Sequence, residues 1–383
     1  MVEKSGGTQG GTDTPGAGDE AGVVRGCCHV YHALDVGFAV DLKRCAGLIQ
    51  EARAGSGFHN HARTPPCLTF RPLPIHLSQS MQPICGATFR TAESLTLTIY
   101  DFGAVSVQYR VPFAGTLEQI AAISSELCEN KLFAADARTR AEALVAAIYP
   151  AVRRPKVRDE IEDYLVFVIP EAPEGPGDPE RFVAEHRHAL AQILNSDALP
   201  LAVQQQRQDL SSSIAYHADD LTIITWNAAL VFGRQMDDVL TLLELANVQL
   251  RELHYLDDQL DASLQETYEV QGRVVDVKAQ MRRIRELMLD GQAFSEAVTN
   301  AFKPFPDAFL ARLYGLASGS LGLNHFDQSI KDKLNLLNTL YTTLSDEAAH
   351  SHSVRLEWIV IVLILFEIIM GLSEKVLPLF WRH

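Results

Sequence analysis

Hydrophobic positions along this chain keep three different periods, and each predicts a different kind of element. An apolar run from Cys27 to Leu34 (Val30, Tyr31, Ala33, Leu34) predicts a strand. Val40 to Ala52 predicts a helix, with Leu42, Cys45, Ala46, Leu48 and Ile49 on or near one face. Residues 54–92 carry Gly, Pro, Ser and His in no regular order and predict a long loop or insertion. A period of two follows. Leu95, Leu97 and Ile99 alternate with Thr96, Thr98 and Tyr100, and past Asp101-Phe102-Gly103, Val105, Val107, Tyr109 and Val111 alternate with Ser106, Gln108 and Arg110. Two such runs about a short Gly-containing turn predict a β-hairpin. Thr116 is placed to cap a helix through about Asn130, a second helix covers Ala135–Ile148, and Tyr164–Ile169, stopped by Pro170, reads as a strand. Strand, helix, hairpin, helix, strand is the β-α-β-β-α-β order of a ferredoxin-like α+β domain over residues 26–170.

A Pro- and Gly-rich break from Pro170 to Pro179 ends that domain, and residues 180–350 are mainly helical. Arg181–Leu194 is a helix. Leu221–Trp226 and Ala228–Phe232, preceded by Asp219-Asp220, are a pair of buried strands or one bent strand. From Met236 the apolar positions fall alternately three and four apart: Val239, Leu243, Ala246, Leu250, Leu253, Leu260, Leu264. That is a coiled-coil seam, broken only at Asp257. It resumes at Val274, Val277, Met281, Ile284 and Met288, then at Leu334, Leu337, Tyr341 and Leu344. The glycines of Gly291 to Gly322, with Pro304 and Pro306, are enough to reverse the chain into an antiparallel helical hairpin.

The final stretch changes character again. Leu356 to Leu372 is apolar on every side, apart from Glu357 and Glu367. A helix hydrophobic all round is either enclosed by protein or spans a membrane. About 17 residues at roughly 1.5 Å each give about 25 Å, the lower limit for a bilayer core. Trp358 near one end, and Phe380 and Trp381 past the other, suit the two interfaces. The expectation is one transmembrane helix over residues 355–373, a tail anchor leaving the bulk of the chain in the cytoplasm. Glu367 stands against it.

Composition narrows the partners. A formal charge of −15 over 383 residues argues against nucleic acid, since phosphate contacts need clustered Lys and Arg, and against electrostatic adhesion to anionic lipid. The six cysteines (Cys27, Cys28, Cys45, Cys67, Cys85, Cys128) form no C-x-x-C pair, so neither a zinc site nor a disulfide framework is indicated. Free thiols suit a reducing cytosol. Residues 1–25, rich in Gly, Thr, Asp and Pro, predict a disordered tail, with no secretory h-region and no transit-peptide character.

His352–Leu372, with Arg355-Leu356-Glu357-Trp358, the aliphatic run and the embedded Glu367, resembles the closing signature of the family named for "required for meiotic nuclear division". Upstream, the likeness is one of element order: an N-terminal strand–helix unit, a hydrophobic hairpin, then long helices. The Gly-rich tail, the loop before Leu95 and Asp219–Phe232 depart from it. The resemblance implies a membrane-anchored protein of a divergent bacterial branch, with eukaryotic relatives associated with mitochondria. It carries no catalytic residues over.

Chemistry is sparse. Glu367 at membrane depth would face another helix, protonated or hydrogen-bonded between copies. Glu357, beside Trp358, belongs at the interface near Arg355. His59/His61, His186/His188 and His350/His352 are pairs two apart, which on a helix point in different directions and chelate poorly. Asp257, Asp258 and Asp261 offer an acidic pair beside the seam; the plainer reading is a solvated face with one polar seam position that sets register. Asp219-Asp220 suits a turn better than a metal. Phosphate-binding, nucleophile-elbow and zincin motifs are absent from the sequence, and no cofactor is expected.

These readings combine into an α+β, ferredoxin-like domain followed by long coiled-coil-type helices and a transmembrane helix. The expected function is a membrane scaffold or tether acting through helix association, with the lipid bilayer and either further copies or a membrane protein as partners. Arg355, Leu356, Glu357, Trp358 and Glu367 are its key residues. The rivals are an ion-transport component superficially similar to CorA-type magnesium transporters, for which Met370-Gly371-Leu372 is the nearest thing to their Gly-Met-Asn loop, and a metal-dependent enzyme using Asp219, Asp220 or the Asp257 cluster.

Overall fold

The structure, a computed structural model, describes residues 22–52, 58–60, 72–170, 178–234, 236–270, 277–301 and 307–380. The chain divides into two compact units, one drawn from Met1–Arg251 and Phe302–Gly322, the other from Glu252–Ala301 and Leu323–His383.

Among the described residues, unit one is built on a sheet of nine strands. In chain order its strands and one small outlying pair are β1 (Val24–Asp35), β2 (Ala39–Val40), β3 (Phe58–Asn60), β4 (Ile75–Ser80), β5 (Ser94–Ile99), β6 (Ala104–Gly115), β7 (Val152–Arg153), β8 (Glu162–Ile169), β9 (Ser213–Ile214), β10 (Leu221–Ile224) and β11 (Ala228–Phe232). The sheet order is β3-β4-β5-β6-β1-β8-β11-β10-β9, with β2 and β7 pairing separately. Every neighbouring pair is antiparallel except β8 and β11, which run parallel.

The expectation of a self-contained ferredoxin-like α+β domain is corrected by this topology. The antiparallel strands β5-β6-β1-β8 are the middle of a larger mixed sheet. On one side, β4 comes from the stretch expected to be a loop and pairs with β5 from Ile75↔Ile99 to Ser80↔Ser94. On the other, β8 continues into the parallel partner β11, contributed by residues beyond Pro170. Leu165, Phe167 and Ile169 on one side of β8, and Tyr164 and Val166 on the other, are all buried. A strand buried on both faces belongs inside a sheet that is covered twice.

One cover is apolar. The helices α1 (Leu42–Ala52), α2 (Leu117–Leu127), α3 (Lys131–Ile148), α4 (Pro179–Glu185) and α5 (Arg187–Asn195) supply Ile49, Ile120, Phe133, Leu144, Phe182 and Leu190 to a core shared with Val30, Leu34, Leu97, Val107 and Phe167. Thr116 starts α2 with a capping box, its side chain accepting from the Gln119 N–H while the Gln119 side chain accepts from the Thr116 N–H. Gly103 turns the β5–β6 hairpin at φ +96°, and a Cβ there would strike the Gly37 carbonyl oxygen, so no other residue fits. The short α6 (Val203–Ser211) lies beside β10.

The second cover is the first half of α7 (Asp237–Val270), joined by α9 (Ala308–Ser320), which packs on β10. Unit two holds the rest of α7 with α8 (Val277–Ala301) and α10 (Leu323–Phe380). The three meet where Gly291 of α8 comes close to Leu256 of α7 and Leu334 of α10. Leu253, Leu260, Leu264, Ile284, Ile330 and Leu337 are buried along the seam.

The transmembrane expectation is also corrected. Among the described residues, no helix is long and apolar enough to cross a membrane. The described apolar run, Trp358–Phe366, is bounded by Glu357 and Glu367. At about 1.5 Å per residue it extends roughly 14 Å, about half the thickness of a bilayer core. A longer span would carry Glu367 into hydrocarbon. Single-pass membrane placement and a tail anchor are therefore set aside. The disordered tail expected for residues 1–25 lies, up to residue 21, outside the described residues.

Candidate functional site

Two features stand out, one buried and one exposed. The buried feature follows from strand alternation. Cys28, Val30, His32 and Leu34 of β1 face the apolar core, so His29, Tyr31, Ala33 and Asp35 face α7. The register carries this polar side across the sheet: His76, Thr98, Ser106, Ala33 and Glu162 lie in one row over five strands, and Ser78, Thr96, Gln108, Tyr31 and Tyr164 in the next. Gln108 Nε2 donates to the Tyr31 hydroxyl at 3.0 Å and lies 2.9 Å from His29 Nδ1, while His76 Nδ1 lies 3.1 Å from Thr98 Oγ1.

Onto this layer α7 places Glu244, Asn247 and Arg251, spaced three and four apart on one face and all buried. Asn247 Nδ2 donates to the Glu162 carbonyl at 3.2 Å, and Arg251 reaches Glu160 at 3.2 Å. Asp35 accepts from the Gly37 N–H at 2.9 Å and pairs with Arg158 at 3.5 Å. Glu244 lies among Tyr31, Tyr100, Thr98 and Ser106. Its Oε1, the Ser106 Oγ, the Asn247 Oδ1 and the Arg251 Nε are buried without a hydrogen-bonding partner among the described residues.

Burial sets the proton affinities here. It pushes the Glu244 carboxyl above the usual range, with the Ser106 and Thr98 hydroxyls opposing. It raises Asp35 to about 6 against the pull of Gly37 and Arg158. It lowers His29 to about 4, helped by Arg110, and His32 to about 4 against the pull of Asp136. His32 lies between rings, edge-on to Tyr109 and stacked on Phe133.

The exposed feature is the described apolar part of α10. From Trp358 to Phe366 every side chain is between 51% and 63% exposed, two and a half turns of large hydrophobics with no covered face. Glu357 and Glu367, also exposed, close its two ends. The side chains of Arg355, Leu356, His350 and His352 lie outside the described residues.

The structure disperses the other candidates. Asp257 occupies its seam position by accepting from Ser329 Oγ at 2.9 Å and Lys333 Nζ at 2.7 Å, and Lys333 also pairs with Asp261 at 2.7 Å. Asp220 accepts from the Tyr216 and His217 N–H groups at 2.7 and 3.0 Å, closing the turn before β10. His186 packs on Phe182 and His188 meets the Gln206 side chain, so the pair does not converge. His59 is in β3 and His61 lies outside the described residues. Among the described residues, no group of three or more His, Cys, Asp or Glu is arranged to hold a metal. Sequence reading missed Glu244, because an acid between seam positions Leu243 and Ala246 looks like an ordinary solvated position. The signal available was the polar half of the β5–β6 hairpin, which has to face something.

A family model described as "Uncharacterized protein MJ0711, N-terminal domain" matches residues 25–238, from β1 to the first turn of α7. The protein of that name from Methanocaldococcus jannaschii is 21% identical over 221 residues, covering 56% of this chain and 67% of the relative. No solved structure matches the chain. These comparisons correct the likeness to the "required for meiotic nuclear division" family, which rested on His352–Leu372 and on the order of elements upstream: residues 25–238 match a different family, and neither finding points there. Over residues 25–238, the sheet and its apolar helical cover, this chain belongs to the MJ0711 N-terminal domain family.

Proposed function

We propose that the protein is a scaffold that assembles with further copies of itself through its long helices, the copies meeting along Trp358–Phe366. The observation that supports this is the uninterrupted exposure of those nine side chains. A helix meant for one groove carries an apolar stripe of roughly 100°, whereas this segment is apolar around its whole circumference. It therefore needs neighbours on several sides, and symmetric association of identical helices supplies them. Covering the exposed part of each side chain is worth about 1 kcal/mol. That is on the order of 10 kcal/mol per copy, to set against an association cost of about 4–15 kcal/mol. Glu357 and Glu367 would mark the ends of the contact, where carboxylates stay in water.

Chemical cross-linking of the full chain in detergent-free buffer, with the linked peptides mapped by mass spectrometry, tests this reading. Links between copies across residues 357–367 are expected, and they should vanish in an Ile361→Glu/Leu365→Glu variant. Links confined to one copy, or partition of the chain into phosphatidylcholine vesicles, would overturn it.

A further inference from the structure

The groups around Glu244 do not neutralise its charge, and the helix that carries it belongs to both units. The titratable and charged groups turned towards it are Cys27, His29, Tyr31 and Asp35 of β1, His76 of β4, Tyr100 after β5, Arg110 of β6, Arg158 and Glu160 ahead of β8, Glu162 and Tyr164 of β8, Arg251 on α7 itself, and Arg312 and Tyr314 of α9. The cations have other partners. Arg251 is held by Glu160, Arg158 by Asp35, Arg110 donates to Ser94 Oγ at 2.8 Å, and Arg312 is exposed on α9. Tyr314 donates to Gln249 Oε1 at 2.7 Å. Glu244 is left with hydroxyl neighbours and with one carboxyl oxygen unsatisfied, 6% exposed beneath the helix. An ionised carboxylate so placed is costly, while a neutral acid is tolerated and can donate a hydrogen bond.

We infer that the first half of α7 is latched to the sheet by a proton, Glu244 docking as the neutral acid and giving its proton to water when the helix lifts away. Three observations converge on this. The contact surface of α7 carries a polar stripe, Glu244, Asn247 and Arg251, with a buried unsatisfied atom on each residue. The sheet beneath carries two rows that are polar at every position but Ala33, unlike the apolar face under α2, α3 and α5. Finally, Glu244, Asn247 and Arg251 lie on consecutive turns of α7 within unit one, so release at Glu244 loosens the whole docked half of the helix.

The direction follows from linkage. The docked acid binds its proton more tightly than the released one, so docking is strongest at low pH. It weakens as pH rises from the released carboxyl's ordinary value, about 4.3, towards the raised docked value, by up to about tenfold per pH unit. Hydrogen–deuterium exchange of the full chain between about pH 5 and 8, corrected for intrinsic exchange, tests the latch. Protection of the amides of residues 240–251 should fall with pH relative to those of β1 and β6, and Glu244→Gln should make that fall shallower, leaving the share due to Asp35. Identical pH profiles for both proteins, or β1 and β6 losing protection in step with α7, would overturn the inference. Infrared spectroscopy of the unmodified protein just above the ordinary carboxyl value of about 4.3 is the check on the proton itself. A protonated-carboxyl band that Glu244→Gln or Glu244→Leu removes is expected, and no such band in the unmodified protein would also overturn it.

Discussion

At the residue scale, strand position decides what a side chain does more than its chemistry does. The alternation at Leu95–Val111 was readable, but it left open what the polar half faces. Thr98 and Ser106, ordinary solvent-side residues by pattern, are buried because α7 lies over them. His32 shows the same effect on the other face, its ring held by Tyr109 and Phe133 and its Nδ1 without a hydrogen-bonding partner among the described residues. Its folded-state value of about 4 lies below the ordinary histidine value of about 6.5. The unfolded chain therefore binds more protons between those limits, and the stability involved is complete above about pH 6.5 and lost as pH falls towards about 4. Replacing His32 by Phe keeps a ring and removes the titration. Urea unfolding at stepped pH should then lose about one proton's worth of slope, about 1.4 kcal/mol per pH unit, over that window. An unchanged acid limb would mean His32 is not desolvated. Asp35 works in the opposite sense, so substituting one histidine at a time is the informative design.

At the element scale, capping and helical spacing were the most legible features, and short edge strands the least. Thr116 and the three–four spacing from Val239 each name their helix because the signal is local. Ile75–Ser80 was hidden by surrounding Gly and Pro, and at six residues it offers only Ile75 and Leu77 as an apolar side. Its partner β5, distant in sequence, makes it a strand. The break in the seam was readable as a register position, but its partner was not. Lys333 comes from another helix, with its side chain 18% exposed beside Asp257 at 17%. Lys333→Ala strands a half-buried carboxylate, and thermal or urea unfolding should show unit two less stable by about 1–3 kcal/mol. The double variant Asp257→Leu/Lys333→Leu should recover most of that loss, since an apolar pair can replace a buried ion pair. A loss of less than about 0.5 kcal/mol for Lys333→Ala would place the pair with exposed salt bridges of no structural consequence.

At the scale of the whole molecule, the same apolar residues read two ways, and the difference lies in what bounds them. From Leu356 to Leu372 the sequence suggested lipid. Described side chain by side chain, the run is nine residues closed by two carboxylates, too short to cross a bilayer and too exposed to be left in water. The proposed contact between copies would resolve that conflict. Sedimentation velocity of the full chain in detergent-free buffer, over a wide concentration range, is the most direct test. A species heavier than a monomer is expected, reduced to the monomer by Ile361→Glu/Leu365→Glu with the circular dichroism of the sheet unchanged. A full-length chain that sediments as a monodisperse monomer with Trp358–Phe366 intact would contradict it.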